Sequence, residues 1–166
     1  MLQKKICMVG SFAVGKTSLV ARFVKGIFSD RYLTTVGVKI DQKDLEIEGQ
    51  QLRFMLWDLH GEDEFQRIRP TYLRGTAGAL LVADGTRPDT LDVALRLGEE
   101  VQSVAGDVPL LLLLNKADLK GEWQISAAQE AELVESGWQV LQTSAKTGAG
   151  VEESFRELGR LLLAAP

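Results

Sequence analysis

A single cysteine, Cys7, excludes an intramolecular disulfide, and its place inside an apolar run fits a reducing compartment. A basic excess is also missing. Nineteen Lys and Arg stand against 23 Asp and Glu, a net charge of −4, which argues against broad nucleic-acid binding. No stretch is long and apolar enough to cross a membrane as a helix. The opening Met1-Leu2-Gln3-Lys4-Lys5 runs straight into a strand-like segment without a small-residue cleavage site, so no signal peptide is expected. Leu2 stands where N-myristoylation needs glycine, and the last four residues, Leu163-Ala164-Ala165-Pro166, offer no cysteine for prenylation. Together these absences lead us to expect a cytoplasmic chain with no direct membrane anchor.

What is present is ordinary for a folded protein, 45% apolar and 25% charged residues. The length suits one domain over 1–166, enough to bury a full core without cross-links. Short apolar runs alternate with stretches of helical period. Ile6–Val9, closing at Gly10, predicts a buried strand, and Leu19, Val20 and Phe23 predict a helix over Lys16–Lys25. Val36–Ile47 contains an alternating stretch, and Glu48-Gly49-Gln50 reads as a hairpin turn into Leu52–Trp57. Ala77–Ala83 is almost purely apolar. Leu91, Ala94, Leu95, Val101 and Val104 share one side of a helix over Thr90–Val104. Pro109–Leu114 carries five leucines; its length and neighbours favour a buried strand, while periodicity alone leaves a helix open. Ser126 opens another helix with Glu130 close behind, Trp138–Leu141 predicts the last strand, and Val151–Leu163 the last helix. This order predicts an α/β sandwich with a mostly parallel sheet, helices on both faces and one antiparallel edge strand from the hairpin. Ligands of such sheets bind beyond the carboxyl ends of the strands, and the motifs of this chain fall there.

Gly10-Ser11-Phe12-Ala13-Val14-Gly15-Lys16-Thr17 fits the phosphate-loop pattern Gly-x-x-x-x-Gly-Lys-Thr in full, between a strand and a helix that continues at Ser18. Glycines let the backbone wrap a polyphosphate, amide N–H groups point inward, and the helix N-terminus adds its positive end. Lys16 is placed to reach the β and γ phosphates, and the Thr17 hydroxyl to ligate Mg²⁺. A chance glycine turn with a surface lysine is the bland alternative, and pattern and context together weigh against it.

A phosphate loop does not choose a base. Asn115-Lys116-Ala117-Asp118, directly after the leucine run, does. Its aspartate can accept from the N1–H and 2-amino groups of guanine, whereas adenine offers neither donor and leaves the carboxylate unpaired, at about 1–3 kcal/mol or more. The Lys116 stem can lie along the base, and Asn115 can tie this loop to the phosphate loop. Ser144-Ala145-Lys146 follows the last strand, and the Ala145 N–H can donate to the guanine carbonyl. Taken alone, Asn-Lys-x-Asp is better read as a polar turn; three motifs in order are not.

On these segments, with Thr35-Val36-Gly37 and Trp57-Asp58-Leu59-His60-Gly61, the chain resembles the small GTPases of the Ras superfamily, nearest in texture to the Rab and Ras branches, from about Lys5 to Leu163. The resemblance implies a three-layer P-loop NTPase fold, the Ras-like G domain, with a six-stranded mostly parallel sheet and five helices. It also implies a monomeric GTP/GDP switch that uses Mg²⁺ and meets effector and regulator proteins. Phe28 matches the aromatic that packs edge-on to the base, although an ordinary core aromatic is an equal reading. The Thr35 hydroxyl would bind Mg²⁺ and its N–H the γ-phosphate; Thr34 is a rival by chemistry alone, and the following Val36-Gly37 favours Thr35. Asp58 would hold Mg²⁺ through a water, and the Gly61 N–H would meet the γ-phosphate.

Three positions depart from the family. Glu62 stands where a glutamine usually orients the attacking water; a carboxylate only accepts, and its charge opposes the γ-phosphate, so slow intrinsic hydrolysis is expected. Phe12 fills a place usually small, near where a partner's arginine enters. His60, the only histidine, also replaces a small residue and is read as a solvent-facing switch residue. The absent lipidation signal suggests a prokaryotic source, since such tailless relatives occur there. Two functions follow: a regulatory GTPase, slow alone, or a GTP-binding module that hardly hydrolyses. An ATP-using kinase on the same loop is disfavoured by Asn115–Asp118.

Overall fold

The apolar run at Ile6–Val9 becomes the middle of a six-stranded sheet. The structure, a computed structural model, describes residues 1–28, 38–61 and 67–165. In chain order the elements are β1 (Leu2–Gly10), α1 (Lys16–Lys25), β2 (Val38–Ile47), β3 (Gln50–Leu59), α2 (Pro70–Leu73), β4 (Gly78–Asp84) and α3 (Asp89–Ala105). There follow β5 (Leu110–Asn115), a 3-10 turn (Lys120–Glu122), α4 (Ala127–Glu135), β6 (Val140–Gln142) and α5 (Val151–Ala164). The strands lie in the order β2-β3-β1-β4-β5-β6. Only the β2–β3 pair is antiparallel, closed by a two-residue turn with Glu48 at φ 52 and Gly49 at φ 79. Both positive values mark a type I′ turn, whose twist matches that of the strands it joins.

Strand period explains the continuous apolar runs. Ile6 and Met8, Leu80 and Val82, Leu111 and Leu113 face one core, with Leu19 and Phe23 of α1 and Phe155 and Leu158 of α5. Cys7 and Val9, Leu81 and Ala83, Leu112 and Leu114 face the other, with Leu73 of α2 and Ala94, Leu97 and Val101 of α3. A strand covered on both faces has no polar side to present. The five-leucine run is thereby a strand, split leucine by leucine between two cores. On the first face the Phe23 and Phe155 rings stack at 3.9 Å, joining α1 to α5.

Differences from the sequence reading are local. β1 begins at Leu2, because Leu2–Lys5 pair in parallel with Leu52–Met55 although they lie outside the core and three of the four carry polar side chains. α2 is one turn with Pro70 at its start, too short to show a period. β6 lies two residues later at its start, and one at its end, than the run of apolar residues suggests. The helix opened by Ser126 is closed at its start by Gln129, a partner the sequence reading did not name. The Ser126 hydroxyl accepts from the Gln129 N–H at 3.1 Å and the Gln129 side chain accepts from the Ser126 N–H at 2.8 Å. Glu130 accepts from Gln142 at 3.0 Å.

Candidate functional site

The loops after β1, β4, β5 and β6 meet at one end of the sheet, with Asp58 near the end of β3 beside them. The first of these is Gly10–Thr17. A Cβ on Gly10 would strike the Val82 carbonyl of β4, and Gly15 sits at φ 102 against the Asn115 side chain, so both positions need glycine. Ala13 is also left-handed, at φ 59, a conformation that costs a non-glycine residue about 1 kcal/mol or more.

Every carbonyl of this loop has a donor. Lys16 Nζ gives one hydrogen bond to the Gly10 oxygen at 2.9 Å and one to Ser11 at 3.2 Å. Arg87 donates to the Phe12 oxygen at 2.8 Å, Lys116 to Ala13 at 3.1 Å, and Asn115 to Val14 at 2.9 Å. The Gly15 oxygen takes the Leu19 N–H inside α1. A planar trans peptide whose C=O is drawn outward turns its N–H the other way. The amides of Phe12, Ala13, Val14 and Gly15 donate to no described residue. A row of unpaired N–H groups ahead of a helix N-terminus is a cradle for an anion. Lys16 is 3% exposed. Burial pulls its ammonium down to about 8, while the Asp58 carboxylate acts in the opposite direction. Two of its three N–H groups are spent on carbonyls, which leaves one for a phosphate oxygen. Ser18, half-buried, lies in the first turn of α1 behind it.

The segments Asn115–Asp118 and Ser144–Lys146 form the wall next to the cradle. Asn115 is buried, and its side-chain oxygen accepts from Thr143 at 3.0 Å while its amide holds Val14. Asp118 is half-buried and accepts from the Ser144 hydroxyl at 2.7 Å, so the segments after β5 and β6 are joined. Ala145 is buried and Lys146 exposed. Arg22 of α1 draws their carbonyls away, with bonds of 2.8 Å to Ala145 and 2.6 Å to Lys146. Phe28 is half-buried and packs against the core shared by α1 and α5.

At the opposite end of the cradle, Thr17 Oγ1 donates to Asp58 Oδ2 at 2.5 Å. Asp58 is fully buried. Its other oxygen, Oδ1, lies 3.2 Å from His60 Nε2 but out of alignment, so both atoms lack a hydrogen bond among the described residues, and His60, with Nε2 buried against Asp58, is not the solvent-facing residue expected from the sequence. A buried carboxylate oxygen with no partner is costly. Beside a threonine hydroxyl it makes an oxygen donor set that suits a hard divalent cation. The described residues hold no cluster of three His, Cys, Asp or Glu side chains. Mg²⁺ does not need one, since it keeps waters and takes phosphate oxygens. Gly61, half-buried, follows His60. Thr35 and Glu62 lie outside the described residues.

A family model described as the Ras family matches residues 5–164. The chain belongs to the Ras family. It is 34% identical over 165 residues to the Ras-related protein RabJ of Dictyostelium discoideum, spanning 98% of this chain and 64% of that one. It is 32% identical over 158 residues to the Ras-related protein Rab-8B of Homo sapiens (94% and 76%). Rab-4 of Dictyostelium discoideum is 32% identical over 161 residues (96% and 78%). As a Ras-family protein the chain is a GTP-binding switch, and the family's members are GTPases that use Mg²⁺.

Three residues of this Ras-family site escape the motifs. Arg22 turns the Ala145 peptide, and Asp84 and Arg87 stand behind the phosphate loop. Asp84 did leave a signal, a charge closing the apolar run of β4 at its carboxyl end, where ligand sites gather. Arg22 and Arg87 left none, because the loop carbonyls they hold, of Ala145 and Phe12, are 123 and 75 residues away in sequence. No described helix is long and apolar enough to cross a membrane.

Proposed function

We propose that this chain is a single G domain acting as a GTP/GDP switch, whose Mg²⁺-dependent hydrolysis is slow without a partner protein. The observation that carries the reading is the loop itself, with every carbonyl from Gly10 to Gly15 engaged and the amides of Phe12 to Gly15 donating to no described residue. In this reading those amides and Lys16 hold the β and γ phosphates of GTP. Asp118 accepts from the guanine N1–H and 2-amino groups, the Ala145 N–H donates to the guanine carbonyl, and Phe28 lies against the base edge. Thr17, Asp58 and, by resemblance, Thr35 hold Mg²⁺. The ion supplies positive charge at the β–γ bridge when bound. The Gly61 N–H meets the γ-phosphate, so loss of that phosphate releases both switches. Effectors then read the face around Phe28–Tyr32 and Phe65–Tyr72.

Two features favour a second reading, a GTP-holding module that hardly hydrolyses. Phe12 is 48% exposed on the phosphate loop, bulky enough to block an incoming arginine if it does not point away to the switch surface. Glu62 brings a negative charge where the attacking water must be oriented. Single-turnover hydrolysis with Mg²⁺ separates the readings. We expect measurable phosphate release from the wild type and a roughly tenfold faster rate in Glu62→Gln, which restores an amide able to donate and accept. If GTP stays bound and the wild type releases no phosphate, the second reading holds.

Trp57 offers an optical check. It is half-buried, next to Asp58, with Lys5 Nζ 3.8 Å from the centre of its ring. Its emission should differ between the GDP complex and that of a non-hydrolysable GTP analogue. Identical spectra would argue against a second switch that moves.

A further inference from the structure

Asp84 and Arg87 lie outside every motif, yet together they form the back wall of the phosphate loop. Asp84 is buried at the carboxyl end of β4 and gathers four donors. Its Oδ1 takes the Thr86 N–H at 2.8 Å and hydroxyl at 2.7 Å. Its Oδ2 takes Lys116 at 2.8 Å and Arg87 Nε at 3.1 Å. Burial acts to raise this carboxyl, but the bonds from Lys116, Thr86 and Arg87 outweigh it and hold it below the usual carboxylate range. Both cations then reach onward to consecutive carbonyls of the loop, Arg87 to Phe12 and Lys116 to Ala13. Ala13 and Lys116 are both in left-handed backbone, at φ 59 and φ 70, and are bonded to each other. A left-handed non-glycine backbone is held only by its surroundings, and here the outer donors supply them.

We infer that Arg87, anchored on Asp84, is a positioning residue for nucleotide retention: it fixes the Phe12 peptide so that the amides beyond it stay turned toward the phosphates. The inference rests on the assignment of Gly10–Thr17 as the phosphate-binding loop. Arg87 touches the loop from behind and is itself no ligand of the nucleotide. Its backbone N–H donates to the Asp84 carbonyl and its own carbonyl accepts from the Thr90 N–H, neither bond involving the guanidinium, so truncating the side chain leaves the entry to α3 intact. The guanidinium is partly exposed, and solvent screening moderates its contribution.

The test is release of a fluorescent GDP from the intact protein, chased with excess GDP, with Mg²⁺ and again with EDTA. Arg87→Ala should speed release about three- to tenfold. The factor should be the same in both buffers, because the guanidinium acts on the loop and not through the ion. Arg87→Lys should recover part of the loss, since Lys116 shows that an ammonium can bridge Asp84 to a loop carbonyl. Amide hydrogen exchange in the GDP complex should show lost protection at residues 12–15 with α3 unchanged. In an Asp84→Asn background, Arg87→Ala should do much less, as the anchor is already weakened.

Release within twofold of the wild type for Arg87→Ala would overturn the inference. So would faster release accompanied by an equal loss of protection throughout α3, the mark of a general structural role. Lys16→Ala runs beside these variants. If it too releases GDP at the wild-type rate, the phosphate-loop assignment itself has failed, and not only the role of Arg87.

Discussion

Lys16→Ala is expected to weaken GDP and GTP binding by about a hundred- to a thousandfold. The substitution removes a buried cation from beside a polyphosphate; breaking a buried charge pair from one side costs roughly 3–5 kcal/mol, and the lower part of that interval, about 3–4 kcal/mol, converts to that range because water can enter the open site. A second loss adds to it. The Gly10 and Ser11 carbonyls lose the Lys16 donor, so the start of the loop is held less firmly. Titration calorimetry or a fluorescent-nucleotide titration reads the effect directly, with circular dichroism to confirm that the variant is folded. An unchanged affinity would mean that Gly10–Thr17 does not hold the phosphates. An affinity lost together with the fold would be resolved by Lys16→Met, which keeps most of the buried stem and removes only the charge.

Asp118→Asn should do something sharper than weaken binding; it should exchange one base for another. A carboxylate offers only acceptors, and guanine presents two adjacent donors to it, N1–H and the 2-amino group. Asparagine offers one acceptor and one donor. Xanthine, which keeps N1–H but carries a carbonyl in place of the amino group, matches that pattern. The neighbourhood is set to allow the swap, because Ser144 already donates to Asp118 Oδ1 and would donate equally to an asparagine oxygen. The amide nitrogen then faces the base. We expect GDP affinity to fall by about a hundredfold or more, since a site built for a hydrogen-bonding group rejects the analogue that leaves it unpaired. Xanthosine diphosphate should become the better ligand. Competition of GDP and xanthosine diphosphate for the same labelled complex measures both at once. Retention of GDP at wild-type affinity would show that Asp118 is not the residue that reads the base.

Both expectations were open to a reader of the sequence, because local chemistry carries them. A glycine at φ 102, a lysine after it and an aspartate three residues beyond an asparagine leave marks in one short segment each. The same holds for the strands. Ile6–Val9, Ala77–Ala83 and the five leucines are apolar because two layers of helix cover them. What the sequence hid is what depends on the fold being closed. Leu2–Lys5 join the sheet only because β3 runs alongside them, and Pro70–Leu73 turns once, which has no period to detect. The pairing of Gln129 with Ser126 depends on a difference of one residue in helix register. Arg22 and Arg87 look like any surface cation until α1 is laid beside the segment after β6, and β4 beside β1.

The donors that hold the phosphate-loop carbonyls come from α1, from the segment after β4 and from β5 and the loop after it, and they converge only once the sheet has assembled. The conformational entropy of that loop is therefore surrendered during folding, at roughly 1–2 kcal/mol per residue, and not again when a nucleotide arrives. The struts that hold the loop contribute their own hydrogen bonds to the folded state, and they lower the cost of filling the site because the loop is already ordered. The Ras-family chain should accordingly melt at a temperature that rises with nucleotide concentration, since the ligand selects the folded ensemble in which its cradle is already made.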